Sequence, residues 1–187
     1  MFQTLARFAL LATLFGAGVA SAAGYTRLIP EQSQLGFSYR QMSVPMDGSF
    51  KRFKAQLAFD PAQPAQARAS FDVEVGSIDV GSPEGNGEIG KKEWFDSATH
   101  PIARFVSSSV KALGNDRYEV VGKLTIKGRS REVKAPVKLS TVNGNAVFEG
   151  ALPIRRTDFT IGEGMWADTS IVADEIQIRF RLVAARS

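Results

Sequence analysis

Few residues in this chain could do chemistry. His100 is the single histidine, and there is no cysteine. It precedes Pro101, which favours an extended backbone at position 100. One imidazole without thiols builds neither a His-rich nor a thiolate metal site. His100 therefore reads first as a loop-packing residue, with general-base work as the alternative. Ser107, Ser108 and Ser109 place three hydroxyls on a strand pattern. No histidine base with an orienting acid accompanies them, and the Gly-x-Ser-x-Gly elbow of hydrolases does not occur. Asp168, Asp174 and Glu175 could hold a hard cation. Their spacing fits no EF-hand loop, and loop acids of this kind are usually solvated. Residues 81–87 are glycine-rich but lack the Gly-Lys-Ser/Thr ending of a phosphate loop. The expectation is no catalytic residue, no metal and no cofactor: a binding protein rather than an enzyme.

The candidates for binding are apolar and aromatic. Trp94, Phe95 and Trp166 fall in segments of low regularity, where large apolar surface is costly to leave wet. They either plug the core or contact a ligand near an opening. Of 13 phenylalanines, three (Phe2, Phe8, Phe15) sit near the N-terminus. The other ten spread over nearly every strand pattern. Phe37, Tyr39, Phe50, Phe53, Phe105, Phe148, Phe159 and Phe180 are the candidate walls of a lumen. The periodicity does not say which face of each strand points inward.

The elements that must hold these rings alternate with period two. Phe71, Val73 and Val75 alternate with Asp72 and Glu74. Leu124 and Ile126 alternate with Lys123, Thr125 and Lys127. Ile176, Ile178, Phe180 and Leu182 alternate with Gln177, Arg179 and Arg181. Such runs are strands with one apolar and one wet face. Turn chemistry separates them at Asp60-Pro61, Gly114-Asn115-Asp116, Lys127-Gly128-Arg129 and Asn143-Gly144-Asn145. Short strands about ten residues apart predict an all-β antiparallel sandwich or barrel, and the pattern alone leaves both open. One short helix is expected within residues 83–95, where Glu84 and Glu88 come early and Lys91 and Lys92 late. Gly85, Gly87 and Gly90 limit it to one or two turns. If it covers a barrel mouth, Lys91 and Lys92 lie where a phosphate or a membrane surface would meet them; a solvated helix face is the other reading.

Arg7 is the only charged side chain before position 27, and an apolar run from Phe8 to Val19 follows it, then Ala20-Ser21-Ala22. A basic start, a short apolar stretch and a small-residue site are the parts of a secretory signal peptide. The run is shorter than the roughly 20 residues that span a bilayer as a helix. Residues 1–22 are expected to be removed, leaving 23–187 as a single domain. The whole chain carries 23 Lys and Arg against 19 Asp and Glu. That mild surplus is spread along the chain and lacks the clustered basic stripe of a nucleic-acid binder. It still admits weak attraction to anionic head groups.

The order of residues also carries a resemblance. Pro30-x-x-Ser33-x-Leu35-x-Phe37 leads to Gly48-x-Phe50-x-x-Phe53 and Leu57-x-Phe59-Asp60-Pro61. Trp94-Phe95-Asp96 and Pro101-x-Ala103-x-Phe105 follow. Tyr118-x-Val120-x-Gly122-x-Leu124-Thr125-Ile126-Lys127-Gly128 then precedes Arg131 and Val133. With collinear spacing over nearly the whole mature chain, this is similar to the YceI family of small exported proteins. The resemblance implies an eight-stranded lipocalin-like barrel in the periplasm, whose apolar pocket takes a polyisoprenoid chain, a polyprenyl phosphate or a quinone tail. The chain departs from the commoner pattern at two places. Gln41 stands where many members carry histidine. Asn86-Gly87-Glu88-Ile89-Gly90 stands where many carry Asp-x-His-Leu-Arg. Head-group recognition is thus expected to differ. The segment 162–170 (GEGMWADTS) is similar to a subgroup associated with a membrane cytochrome of the b type. This implies an alternative role as a redox or stress accessory acting on an isoprenoid quinone.

Overall fold

A computed structural model describes residues 24–186. The signal-peptide reading falls on residues outside this range. Eleven strands make one antiparallel sheet: β1 (Tyr25–Leu28), β2 (Gln34–Gln41), β3 (Val44–Phe50), β4 (Phe53–Ala58), β5 (Arg68–Glu74), β6 (Ile78–Asp79), β7 (Ile102–Gly114), β8 (Arg117–Ile126), β9 (Arg129–Val142), β10 (Asn145–Arg155) and β11 (Glu175–Arg186). The helix α1 (Pro83–Ile89) lies between β6 and β7. At seven residues it makes the two turns expected within 83–95. Ser82 caps its start by accepting the Gly85 N–H at 3.0 Å.

The pairing order is β4-β5-β7-β8-β9-β10-β11-β2-β3-β6, with β1 also on β11. The strand count of eleven corrects the expected eight, and the reason is local. Three of eight passes are broken in two. The first breaks at a 3-10 turn, Pro30–Gln32, where Ser33 Oγ donates to Ile29 O at 2.8 Å and accepts the Val183 N–H at 3.0 Å. The second bends at Lys51-Arg52. The third breaks at Val75–Ser77, where the Ser77 hydroxyl accepts the Arg52 N–H at 3.0 Å. Taken as eight passes, the sheet is a meander whose first and last passes pair, with β1 and β2 both on β11. The first pass meets the second through the β2–β3 ladder and through Tyr25 and Phe59. Those two exchange N–H···O bonds of 2.8 and 3.1 Å. The sheet therefore closes into a barrel, as the resemblance implied.

The alternation sets the inside. Leu124, Ile126, Val137, Leu152, Ile154 and Leu182 are all buried. Asn115, Asp116, Asn143 and Gly144 all adopt positive φ at the hairpin tips. These are the residues that tolerate that backbone at low cost. Two glycines make space for rings. A Cβ on Gly48 would sit 2.2 Å from the Phe37 ring, its cross-strand partner. A Cβ on Gly150 would sit 2.5 Å from the Phe180 ring, again its partner. Each bare backbone lets a phenyl ring lie flat on the neighbouring strand.

Candidate functional site: the barrel cavity

The inner faces do not meet in the middle. They enclose a cavity of about 350 Å³ lined almost wholly by apolar side chains. One end is closed by packed aromatics. Phe59 stands edge-on to Tyr118 (centroids 5.3 Å, 90°) and to Phe148 (5.1 Å, 81°), over buried Tyr25. The middle is walled by Phe71, Phe105, Leu124, Leu152, Ile178 and Phe180. The other end is covered by α1 and two loops that bring in Val80, Ile89, Trp94, Phe95 and Trp166.

Nine of the eleven sequence-derived candidates line this cavity: Phe37, Tyr39, Phe50, Trp94, Phe95, Phe105, Phe148, Trp166 and Phe180. Two do not, and both are corrections. Phe159 is 1 % exposed and packs with Leu152, Ile154 and Ile161 in the core. It sits in a 3-10 turn, Arg156–Phe159, where strand alternation does not apply. Phe53 lies just past the Lys51-Arg52 bend and borders a cleft on the barrel's flank. Phe59, Phe71 and Tyr118 line the cavity without having been singled out. The signal for Phe71 was its alternation with Asp72, and for Tyr118 its alternation with Glu119 ahead of Val120.

Polar groups at the covered end are mostly occupied. Trp94 and Trp166 meet at 5.3 Å and 52°. The Trp166 indole N–H donates to Glu88 Oε1 at 3.3 Å. Glu88 Oε2 is 2.5 Å from Lys91 Nζ, and the Lys91 hydrogen bond holds the Glu88 carboxyl below its ordinary pKa. Tyr39 borders the cavity, and burial raises its phenol pKa. Gln41 lines the rim and bridges to Val172. Asn86 turns away from ligand work. Its Oδ1 accepts the Val80 N–H at 2.8 Å and its Nδ2 donates to Asp79 at 3.2 Å, so it fastens α1.

Sequence reasoning missed Arg156. It is 1 % exposed and borders the cavity. Its guanidinium donates to Ile161 O (2.8 Å), Gly162 O (3.1 Å) and Val172 O (2.8 Å), with Nε shared between Val172 O and Ala173 O. Burial lowers its pKa and Asp174 opposes that; a guanidinium stays charged regardless at neutral pH. Backbone carbonyls solvate the cation and tie the segment after β10 to the barrel end.

The other chemically able residues serve structure. Ser107 Oγ accepts the Ala69 N–H at 2.9 Å. Asp168 Oδ1 accepts the Ser170 N–H at 2.8 Å, and Asp174 pairs with Arg155 at 2.8 Å. His100 sits against Gly128 in the β8–β9 turn.

Residues 27–184 match the model of the YceI-like domain. The chain belongs to the YceI family. A crystal structure of BcnA from Burkholderia cenocepacia is 45 % identical, with a TM-score of 0.82 over 84 % of this chain and 99 % of that one. A UPF0312 protein of Pseudomonas putida is 31 % identical over 89 % of this chain and 92 % of its own length. A polyisoprenoid-binding domain from Saccharophagus degradans, implicated in plant cell wall breakdown, shares the YceI fold at a TM-score of 0.67 and 17 % identity, over 87 % of this chain and 98 % of that one.

Proposed function

We propose that this YceI-family protein holds a long apolar lipid, a polyisoprenoid or an isoprenoid quinone, with the tail inside the barrel. The observation that carries this is the cavity itself: closed by aromatics at one end, walled by side chains from all eight passes, and nearly free of unpaired polar groups. Burying each CH₂ of a ligand stabilises by about 0.8 kcal/mol, so a few prenyl units are enough for micromolar affinity, about −8.2 kcal/mol. A polyisoprenoid-binding domain on the same fold supports the choice of tail. Binding without turnover fits the bonded state of Glu88 and Arg156. Export to the periplasm belongs to the proposal and is supported by Arg7, the apolar run behind it and Ala20-Ser21-Ala22. A quinone tail, transient contact with a membrane surface and a membrane cytochrome b partner also belong to it. The quinone and the cytochrome rest on the resemblance of segment 162–170 to a subgroup of the family.

Ala103 lines the cavity between Phe95 and Phe105 in sequence. Ala103→Phe would put a phenyl ring into the space the tail needs. Titration with farnesol should show affinity reduced about tenfold or more, equal to about 1.4 kcal/mol, in a variant whose melting temperature stays within a few degrees. Undiminished farnesol binding in a folded Ala103→Phe protein would count against the cavity as the site.

A further inference from the structure

The barrel has a seam. Among the described residues β4 pairs only with β5. β1 touches the second pass at Tyr25–Phe59, and β2 leaves β3 beyond Gly36–Ser49. Between those two points no backbone ladder joins the first and second passes among the described residues. A cleft opens on the flank there, bordered by Phe53 and Ile102 and by the partition residues Leu35, Phe50 and Phe180. Those three side chains also line the barrel cavity. The cleft and the cavity are thus separated by side chains, which can rotate, and not by hydrogen-bonded strand.

The cleft is basic. Lys51, Arg52, Lys54, Arg179 and Arg181 border it, against two carboxylates, Asp72 and Glu74. Asp72 is gripped by Nε and Nη2 of Arg104, at 2.6 and 2.9 Å. Lys54 faces Asp72 across the ladder but forms no ion pair among the described residues. Lys51 pairs with Asp79 (3.1 Å), Arg52 with Glu74 (2.5 Å), Arg179 with Asp47, and Arg181 with Glu149 (3.5 Å). These pairs are exposed, so they contribute little and exchange partners readily. A dianionic oxygen group accepts several such donors at once, two from a single arginine fork. The covered end of the barrel offers fewer cations, and the buried side-chain donor left without a partner there among the described residues, the Trp94 indole N–H, is uncharged. Glu88 borders the cavity there, Lys91 is bound to Glu88, Lys127 to Glu163 at 2.6 Å, and Arg156 to backbone carbonyls.

We propose that the flank cleft is the head-group end of the site: an anionic oxygen head, phosphate or carboxylate, rests among Lys51, Arg52, Lys54, Arg179 and Arg181, and its tail passes between Leu35, Phe50 and Phe180 into the barrel. This rests on the cavity being a lipid site. The test compares three probes with one tail: farnesol, farnesoic acid and farnesyl monophosphate, titrated into the intact protein at low salt. The anionic probes bind about tenfold more tightly than farnesol, and added salt erodes the advantage. Lys54→Glu with Arg181→Gln removes most of that advantage and leaves farnesol within about twofold. Lys54→Gln alone, which touches no ion pair, removes part of it. Lys92→Gln, just past the helix, whose side chain forms no ion pair among the described residues, leaves all three affinities within about twofold. Phosphate exceeding carboxylate identifies the head as phosphate, and the reverse order identifies it as carboxylate; either supports the cleft. Anionic probes no tighter than farnesol overturn the proposal while the cavity stands. So does an advantage lost through Lys92 but not through the cleft. If farnesol itself fails to bind, the cavity reading falls and this one with it.

Discussion

At the scale of single residues, Arg156 is the side chain on which the covered end depends most. It is a buried cation whose neighbours are carbonyl oxygens of Ile161, Gly162 and Val172. Arg156→Met should leave those oxygens buried without donors. Each costs on the order of 1–3 kcal/mol when orphaned, with partial relief from relaxation, so a net loss of about 3 kcal/mol is expected. Chemical denaturation should show it as a lower midpoint, and Trp166 fluorescence should change as the segment after β10 loosens. A loss below about 1 kcal/mol would mean that the carbonyls find other donors. Gly162 is part of the same arrangement: at φ +77° it brings its carbonyl against the guanidinium, and a Cβ there would sit 2.3 Å from Nη1. None of this was legible in sequence. Nothing in the run Arg155-Arg156 distinguishes the two, and only the fold shows that Arg155 reaches out to Asp174 while Arg156 turns in. The rings were more legible, because period-two alternation puts Phe105 and Phe180 on the same side as their apolar neighbours. Phe159 escaped that rule because it lies in a 3-10 turn, whereas Phe53 keeps it, on the inward face of β4 with Leu57, but packs against the core beside the flank cleft.

At the scale of elements, α1 is held over the cavity by one carboxylate. Asp79 accepts the Gly81 N–H at 2.9 Å and the Asn86 side chain at 3.2 Å, with Lys51 at 3.1 Å. The Gly81 N–H, then Asn86 and Lys51, hold its pKa down to about 2. The unfolded value is about 3.9. A depressed acid contributes stability that is complete above its unfolded pKa and is lost as pH falls through the folded one. The hold on α1 should therefore be full above about pH 4 and disappear towards pH 2. Glu88 has a lowered pKa through Lys91 and adds to the same acid loosening. Amide exchange over residues 83–89 should rise in that window, and Asp79→Asn should raise it already at pH 7. Exchange in the variant matching the wild type at pH 7 would show that α1 is held otherwise. The hairpin tips at Asn115-Asp116 and Asn143-Gly144 were readable, because few residues accept positive φ. The β2–β3 tip was not: Met42 and Ser43 adopt φ of 47° and 67° without glycine or asparagine to announce it. The breaks at Pro30–Gln32 and Val75–Ser77 went unread, although the apolar register shifts across each, from Leu28 to Leu35 and Phe37 and from Phe71, Val73 and Val75 to Ile78 and Val80. That is why eight passes appear as eleven strands.

At the scale of the whole molecule, the pattern of alternation did not separate a sandwich from a barrel. The decision lies in long-range contacts: β11 pairing with both β1 and β2, and Tyr25 meeting Phe59. Closure leaves a lumen that eight passes of this width fill with side chains or with one small ligand. Here the rings stand around the lumen and leave it open. Glycines opposite Phe37 and Phe180 let those rings lie flat on the wall instead of crossing the axis. An apolar space of this kind, walled by Leu, Ile and Phe, stays dry and favours an apolar guest. The most direct measurement is native mass spectrometry of the protein purified without detergent, followed by organic extraction and lipid analysis of the released material. A ligand of defined mass carrying a long apolar chain, absent from the Ala103→Phe variant purified in parallel, is the result this account predicts. Wild-type protein that flies at its bare polypeptide mass and yields no lipid on extraction, even after incubation with farnesol, would contradict it.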